Sequence, residues 1–312
     1  MAKKTAAETS VESKVTPVRT PLKNRIDFIV AISVDGANPN GDPMGGNMPR
    51  TDLNGRGEIS AVCIKHKIRN RLEAMFNEGT ESPCDEILIT AADTPDRKSS
   101  IEGRMMDKDE GALMDLLTKK KGEYSVADKT MALSNAFRDV RAFGYVMTSS
   151  GMSLGIRGPV SMTDAKTLKP ATPIRQQITK CISGAAKDED GRGSDTMGNR
   201  YRIDSSCYVL YGSISPILAE RTGFSEEDAA ALKQAMMTMF DGDESSARPA
   251  GSMAVEELYW FEHSCRMGQY PIKAVHNSVK FEPSNEAPFF KSTFDAASIP
   301  NLKVTVEHPS KI

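Results

Sequence analysis

An α+β fold is predicted for this chain of 312 residues, on three observations. Short apolar runs of strand length recur at 25–34, 86–92, 205–215 and 252–263, set off by turn residues. Stretches with helical periodicity follow the first and the third of them. More than a hundred residues separate the second run from the third, too many for a structureless loop in a compact domain, so that stretch must carry elements of its own.

The first strand is RIDFIVAISV, rich in Ile and Val, and a loop rich in Gly, Asn and Pro (34–50) follows it. Ser60 is a good N-cap, with Ile59 and Ile64 at the two positions of a hydrophobic staple. The stretch AVCIKHKIRNRLEAMF then puts Ala61, Ile64, Ile68, Leu72 and Met75 on one helical face. EILITAA reads as the second strand. In the intervening region MDKDEGALMDLLTKKKG reads as a helix, and TPIRQQITKCIS and RYRIDSSCYVL as the arms of a long hairpin. Its tip, GAAKDEDGRGSDTMGN, is polar and glycine-rich, and is expected to be mobile unless a partner orders it. SSCYVLYGSIS is the third strand. Ser225 with Asp228 forms a capping box that opens a helix with Leu232, Met236 and Met239 inward, and SMAVEELYWFEH is the fourth strand. This is the split β-α-β order of a ferredoxin-like or RRM-type sheet. The core spans 25–91 and 205–312 and the insertion 92–204, while residues 1–24 are polar and read as a mobile, mildly basic tail.

Composition narrows the function classes. Charged residues make up 26% and hydrophobic ones 39%, as in soluble globular proteins. No apolar run approaches the roughly 20 residues of a membrane span, and the N-terminus lacks the apolar segment of a secretory signal. The five cysteines are scattered without a C-x-x-C pair, which fits reduced thiols in the cytoplasm better than disulfides or structural zinc. Net charge is only −2, but it is segregated: Arg50, Arg56, Lys65, Lys67, Arg69 and Arg71 face only Asp52 and Glu58, whereas 225–262 holds nine acidic residues against Lys233 and Arg248. Such a chain can bind a polyanion with the first region and another copy of itself with the second; two solvated helix faces would give the same pattern.

Enzyme and metal motifs fail on inspection. Asn38-Pro-Asn40-Gly-Asp42 starts like a calcium loop, but Pro43 stands where the glycine is needed and Pro49 where the bidentate Glu is needed. The glycines form neither phosphate-loop fingerprint, and the four histidines have no paired ligand spacing. His66, among basic residues, is expected at the surface or facing RNA. Gly151-Met-Ser153-Leu-Gly155 matches the nucleophile elbow of serine hydrolases, but Gly158-Pro159 follows at once and no helix can continue. No cofactor is expected. A glycine-rich link leading into a helix N-terminus suits an anion. Lys65 and Arg69 lie one turn apart on one flank of that helix, and Lys67 and Arg71 on the other. Like charges at that spacing cost a few tenths of a kcal/mol each, easier to understand beside a phosphate chain.

Taken together, NPNGDPMGGNMPR, VCIKHKIRNRL, DVRAFG (139–144), IRGPVS (156–161), ITKC (178–181), GFSEED (223–228) and LYWFEH (258–263) resemble, in this order, the repeated backbone subunit of CRISPR-associated Cascade complexes: the Cas-seven family, Csd-two branch, type I-C. The resemblance covers nearly the whole chain after the tail. It implies an RRM-like palm with a large insertion and a protruding hairpin thumb, about 172–205. It also implies a non-enzymatic role, in which copies stack head to tail along a CRISPR guide RNA and display its bases to complementary target DNA, with other Cascade subunits as partners. Base pairing then supplies sequence specificity while the protein holds the backbone. By matching position, Asn38, Asn40, Arg50, Lys65 and Arg69 are expected to contact the guide, and Arg138, Arg141 and Arg157 to add phosphate contacts. Met197 is expected at the thumb tip, as a wedge between bases. Relatives in type III complexes cut RNA with a loop acid, so Asp35 and Asp42 are the residues for that alternative. Both are read here as turn-holding Asx residues. Ser153 remains the residue of the remote hydrolase alternative.

Overall fold

The structure, a computed structural model, describes residues 19–77, 86–90, 100–118, 124–148, 153–179 and 197–309. Strand β1 (Ile26–Ala37) runs through its centre, and its composition follows from that place. Phe28, Val30, Ile32 and Val34 enter one core while Ile29 and Ala31 enter another, because successive side chains leave a strand on opposite faces. A short hairpin follows, β2 (Gly41–Asp42) with β3 (Met48–Pro49), and then β4 (Arg56–Ile59). Ser60 caps α1 (Ala61–Asn77) by accepting from the Cys63 N–H at 3.2 Å. Ile64, Ile68, Leu72 and Met75 are buried along its inner face, each worth about 1.5–3 kcal/mol on removal from water.

The inserted region builds a second small core. Its elements are α2 (Ile101–Asp107), α3 (Ala112–Thr118), α4 (Val126–Ala136), α5 (Arg138–Phe143) and the hairpin β5 (Gly144–Met147) with β6 (Leu154–Arg157). Leu88, Met105, Leu117, Leu133, Phe137 and Val140 fill it. The single helix expected at 106–122 is broken into α2 and α3 by a 3-10 turn ending at Gly111, whose φ of +92° no helix accommodates.

The chain then returns to the main sheet through β7 (Val160–Met162), β8 (Ala165–Pro170), β9 (Pro173–Thr179) and the long β10 (Met197–Ile214). Helices α6 (Pro216–Thr222) and α7 (Glu226–Met237) follow, α7 opened by the complete Ser225–Asp228 capping box. Strand β11 (Met253–Glu262), α8 (Ile272–Asn277), the hairpin β12 (Val279–Pro283) with β13 (Phe290–Phe294), and β14 (Lys303–Glu307) complete the chain. The main sheet is antiparallel, in the order β14-β11-β1-β10-β8-β4, with β7 and β9 also paired to β10. The main core, which draws on residues of α1, α6 and α7, lies on one face, and a second layer with α8, β12 and β13 covers the other.

Two expectations are corrected here. Residues 86–90 form no strand. Leu88 and Ile89 donate their N–H groups to the Asp139 carboxylate, at 2.9 and 3.1 Å, so no ladder can claim them. Ile87 and Leu88 also bury in different cores. The place beside β10 goes instead to β7 and β8. The tail does not extend to residue 24: Thr20 donates its N–H to the Glu227 carboxylate, Lys23 donates to Glu226, and Leu22 is buried, so 19–23 is strapped across the start of α7. Residues 1–18 and, of the expected hairpin tip at 184–199, residues 184–196 lie outside the described residues, while 197–199 belong to β10.

Candidate nucleic-acid interface

The glycine-rich loop is a compact hairpin rather than an open anion cradle. The Asp42 carbonyl accepts from the Gly45 and Asn47 N–H groups at 3.1 and 2.7 Å, and its Oδ1 accepts from the Met44 N–H at 3.2 Å. The tight turn uses φ of +66° at both Gly46 and Asn47. Asn38 is buried, donating through Nδ2 to the Asn47 carbonyl at 2.8 Å. Asn40 ties the hairpin to α1, its Oδ1 accepting from the Ser60 N–H and hydroxyl, both at 3.0 Å. The α1 N-terminus is already satisfied, since the Asp164 carboxylate takes the Ala61 N–H at 2.7 Å. The expected anion site at that helix start is therefore corrected: a carboxylate of this chain fills it.

The basic residues divide into two groups. Arg69 donates to Asp139 at 2.9 Å and is buried, while Lys67 is buried against Asp243 and Arg71 donates to the Thr238 hydroxyl at 2.8 Å. Arg138 and Arg141 both reach Asp228, at 3.3 and 2.6 Å, and Arg141 is fully buried. Burial alone would push the Asp228 carboxyl up; the Arg141 hydrogen bonds and the charges of Arg141 and Arg138 outweigh it and hold it below the usual carboxylate range. Arg69, Arg138 and Arg141 are thus removed from the phosphate-contacting set, because their guanidinium groups are spent on buried carboxylates. Part of the acidic stretch is engaged internally: Glu226, Glu227, Asp228 and Asp243 hold backbone or cation partners, while Asp241 and Glu244 are exposed.

Lys65 is different. It is half-buried over the Phe143 ring, 5.4 Å from its centroid, beside Arg69 at 5.1 Å, and has no carboxylate partner among the described residues. Burial and then the neighbouring Arg69 charge lower its pKa. Burial, followed by the charges of Lys67 and Arg69, also lowers the pKa of the exposed His66. Arg157 is exposed at the end of β6, and Arg50 is half-exposed with a loose 3.7 Å contact to Asp42. Three cations missed in the sequence join them on the β9–β10 ribbon: Arg175, whose Nε donates to Asn199 Oδ1 at 2.9 Å, Arg200, and Arg202 beside the exposed Asp204 at 3.6 Å. Their signal was available in the alternation of Arg200-Tyr201-Arg202 on a strand with an exposed face. The ribbon pairs 173–179 with 197–203, and Met197 is exposed at the outer end of that ladder, opposite Thr179.

The enzyme alternatives find little support in the geometry. Ser153 directly precedes strand β6, so no helix follows it as a nucleophile elbow requires. His263, the histidine it would need, is buried with Nε2 2.9 Å from Asp27. Asp42 is engaged in its turn, and Asp35 is exposed at the end of β1. Among the described residues no three or more His, Cys, Asp or Glu converge as metal ligands, and no helix is long and apolar enough to cross a membrane.

A family profile for CRISPR-associated protein Cas7 matches residues 24–307. The chain belongs to the Cas7 family. It is thereby a CRISPR-RNA-binding backbone subunit of CRISPR defence, a role that is generally non-catalytic in this family. Two solved structures are similar. One is a chain of a "CRISPR RNA-guided surveillance complex, pre-nicking", at 18% identity and a TM-score of 0.46, covering 76% of this chain and 78% of that one. The other is a chain of a "CRISPR RNA-guided surveillance complex", at 14% identity and a TM-score of 0.40, covering 76% and 68%. No curated protein matches the sequence.

Proposed function

We propose that this Cas7 subunit is the non-cleaving backbone of a cytoplasmic type I-C complex. Copies stack head to tail on the guide RNA and leave its bases free to pair with target DNA. The sheet order β11-β1-β10, with α1 and α7 contributing to the core on one face, supports reading 25–91 and 205–312 as an RRM-like palm, whose sheet β8 of the insertion extends. The β9–β10 ribbon is then the thumb, and 92–172 the rest of the insertion. Asn38 and Asn40 shape the finger that carries Arg50.

The observation that carries this reading is the sorting of cations. Lys65, Arg157, Arg175 and Arg200 lack an internal carboxylate among the described residues and are accessible, as phosphate contacts must be. The test is a salt titration of single-stranded RNA binding. Each of Lys65→Ala, Arg157→Ala and Arg175→Ala is expected to weaken binding uniformly across sequences and to lower the salt slope by about one. An unchanged slope in all three would refute the phosphate track. Co-expression with a CRISPR array transcript and its processing enzyme is expected to yield a large RNA-bearing assembly by size exclusion. RNA recovered intact after incubation with magnesium, equally for wild type and Asp35→Ala, is expected of a non-cleaving subunit; magnesium-dependent cutting lost in Asp35→Ala would reverse that assignment.

A further inference from the structure

A cleft of about 720 Å³ lies on the main sheet, lined from β4, β7, β8, β10 and the turn between β7 and β8. Its size falls within the roughly 300–1,000 Å³ of small-molecule sites. A β-bulge shapes it. From Met162 to Lys166 the edge advances four residues while β10 advances three, from Gly212 to Val209, and such bulges re-aim side chains beside binding sites. Thr163 closes the gap in the ladder: its N–H donates to the Tyr211 carbonyl at 2.8 Å, and its Oγ1 accepts from the Tyr211 N–H at 3.1 Å.

Leu168, Val209 and Tyr211 give the cleft an apolar floor, on the face of the sheet opposite α1. The Tyr211 ring is held by His276, ring centroids 5.1 Å apart, and the His276 Nε2 donates to the Gly212 carbonyl at 3.2 Å. The polar lining is committed to internal partners, with one exception. Thr167 Oγ1 accepts from the Gly57 N–H at 2.8 Å and donates to the Lys169 carbonyl at 2.6 Å. Asp164 accepts the Ala61 N–H at the start of α1, at 2.7 Å. Lys166 lies between Asp52 and Glu58, at 3.2 and 3.4 Å. Arg56 is the exception. Only its backbone N–H meets Asp52, and its exposed guanidinium has no carboxylate partner among the described residues.

We propose that this cleft is a small-molecule site for a monoanion with a planar apolar body, its charge on Arg56 and its rings on the Leu168–Val209 floor against Tyr211. Guanidinium donors pair with an oxyanion through a fixed fork, and the floor gains by covering its apolar area. A single charge is what the cleft lacks. A dianion would bring its second charge toward Asp52, Glu58 and Asp164 with no free cation to meet it, and a cation would meet Arg56. The wall and floor are preformed, so little ordering opposes binding. The subunit then has a ligand besides nucleic acid, held apart from the Lys65 flank of α1.

The test uses the full chain and two fluorescent probes of the same ring system: anilinonaphthalene sulfonate, a monoanion, and phenylnaphthylamine, its uncharged counterpart. Wild type is expected to bind the sulfonate saturably, at one site per chain. Arg56→Ala is expected to weaken the sulfonate roughly tenfold and to leave the uncharged probe unchanged. Leu168→Ser is expected to weaken both probes, by about fivefold. Lys65→Ala is expected to change neither. No saturable site in wild type overturns the proposal, as does an Arg56→Ala variant that changes both probes alike or neither. Release of the sulfonate by single-stranded RNA, together with a lower RNA salt slope in Arg56→Ala, would move Arg56 to the phosphate track and overturn the small-molecule site while leaving the RNA reading intact.

Discussion

The arginines of α5 and those of the β9–β10 ribbon occupy opposite regimes of the same chemistry. Arg138 and Arg141 converge on one buried carboxylate, Asp228, which also closes the capping box of α7. Arg175 and Arg200 lie on an exposed two-stranded ribbon with no acid opposite them among the described residues. The α5 cations therefore tie α5 to α7, whereas Arg175 and Arg200 have no such internal counter-charge among the described residues. What separates them is a carboxylate distant in sequence, not the local string in which each arginine sits.

The largest effect that can break this comparison is on the α5 side. Asp228→Ala leaves two buried guanidinium groups without their anion and removes the cap, and is expected to destabilise the fold by about 3–5 kcal/mol in urea unfolding. Replacing all three partners together, Arg138→Met and Arg141→Met with Asp228→Leu, is expected to cost clearly less than the single change, since no guanidinium is stranded although the cap is still lost. Equal costs would mean that the cluster contributes through packing alone. Gly144 comes next. It holds φ at +77°, and an added Cβ would lie 2.2 Å from the Ile156 carbonyl oxygen, so Gly144→Ala is expected to cost about 1–3 kcal/mol by the same measurement.

The acid limb sharpens the same point. The Asp228 pKa is depressed in the fold, so its contribution is present above the unfolded value of about 3.9 and is lost as pH falls toward the folded one. Unfolding free energy is expected to drop between about pH 5 and pH 2. In Asp228→Asn, which is weaker at neutral pH, that drop is expected to be shallower.

The order of the main elements was legible because it depends on local signals. The alternation and strand length of β1, the Ser60 and Ser225 caps, and the inward stripes of α1 and α7 are all written within a few residues of where they act. Strand 86–92 misled because its β-like composition was overridden by a side chain: Asp139, about fifty residues away, captures its N–H groups. The site was legible in outline only. The loop after β1 and the basic flanks of α1 were singled out, but Arg69, Arg138 and Arg141 were assigned to phosphates although they pair with buried carboxylates, since charge in a sequence does not reveal its counter-charge. The ribbon arginines were overlooked for the converse reason: the alternation of Arg200-Tyr201-Arg202 was there to read, but it does not reveal that Arg175 and Arg200 have no acid beside them among the described residues.

The last comparison is the most discriminating, because it sets side by side two residues one turn apart on α1 over the same Phe143 ring. Arg69→Ala strands the fully buried Asp139 carboxylate, which among the described residues keeps the N–H groups of Leu88 and Ile89. Its expected signature is a lower melting temperature with an unchanged salt slope for RNA. Lys65→Ala removes a cation with no acid to strand, one whose pKa is lowered by burial and then by the Arg69 charge. Its expected signature is the reverse: a melting temperature within a degree or two, and a salt slope lower by about one. If both variants lowered the slope alike, the Arg69–Asp139 pair would have to open on binding RNA, and Arg69 would rejoin the phosphate track.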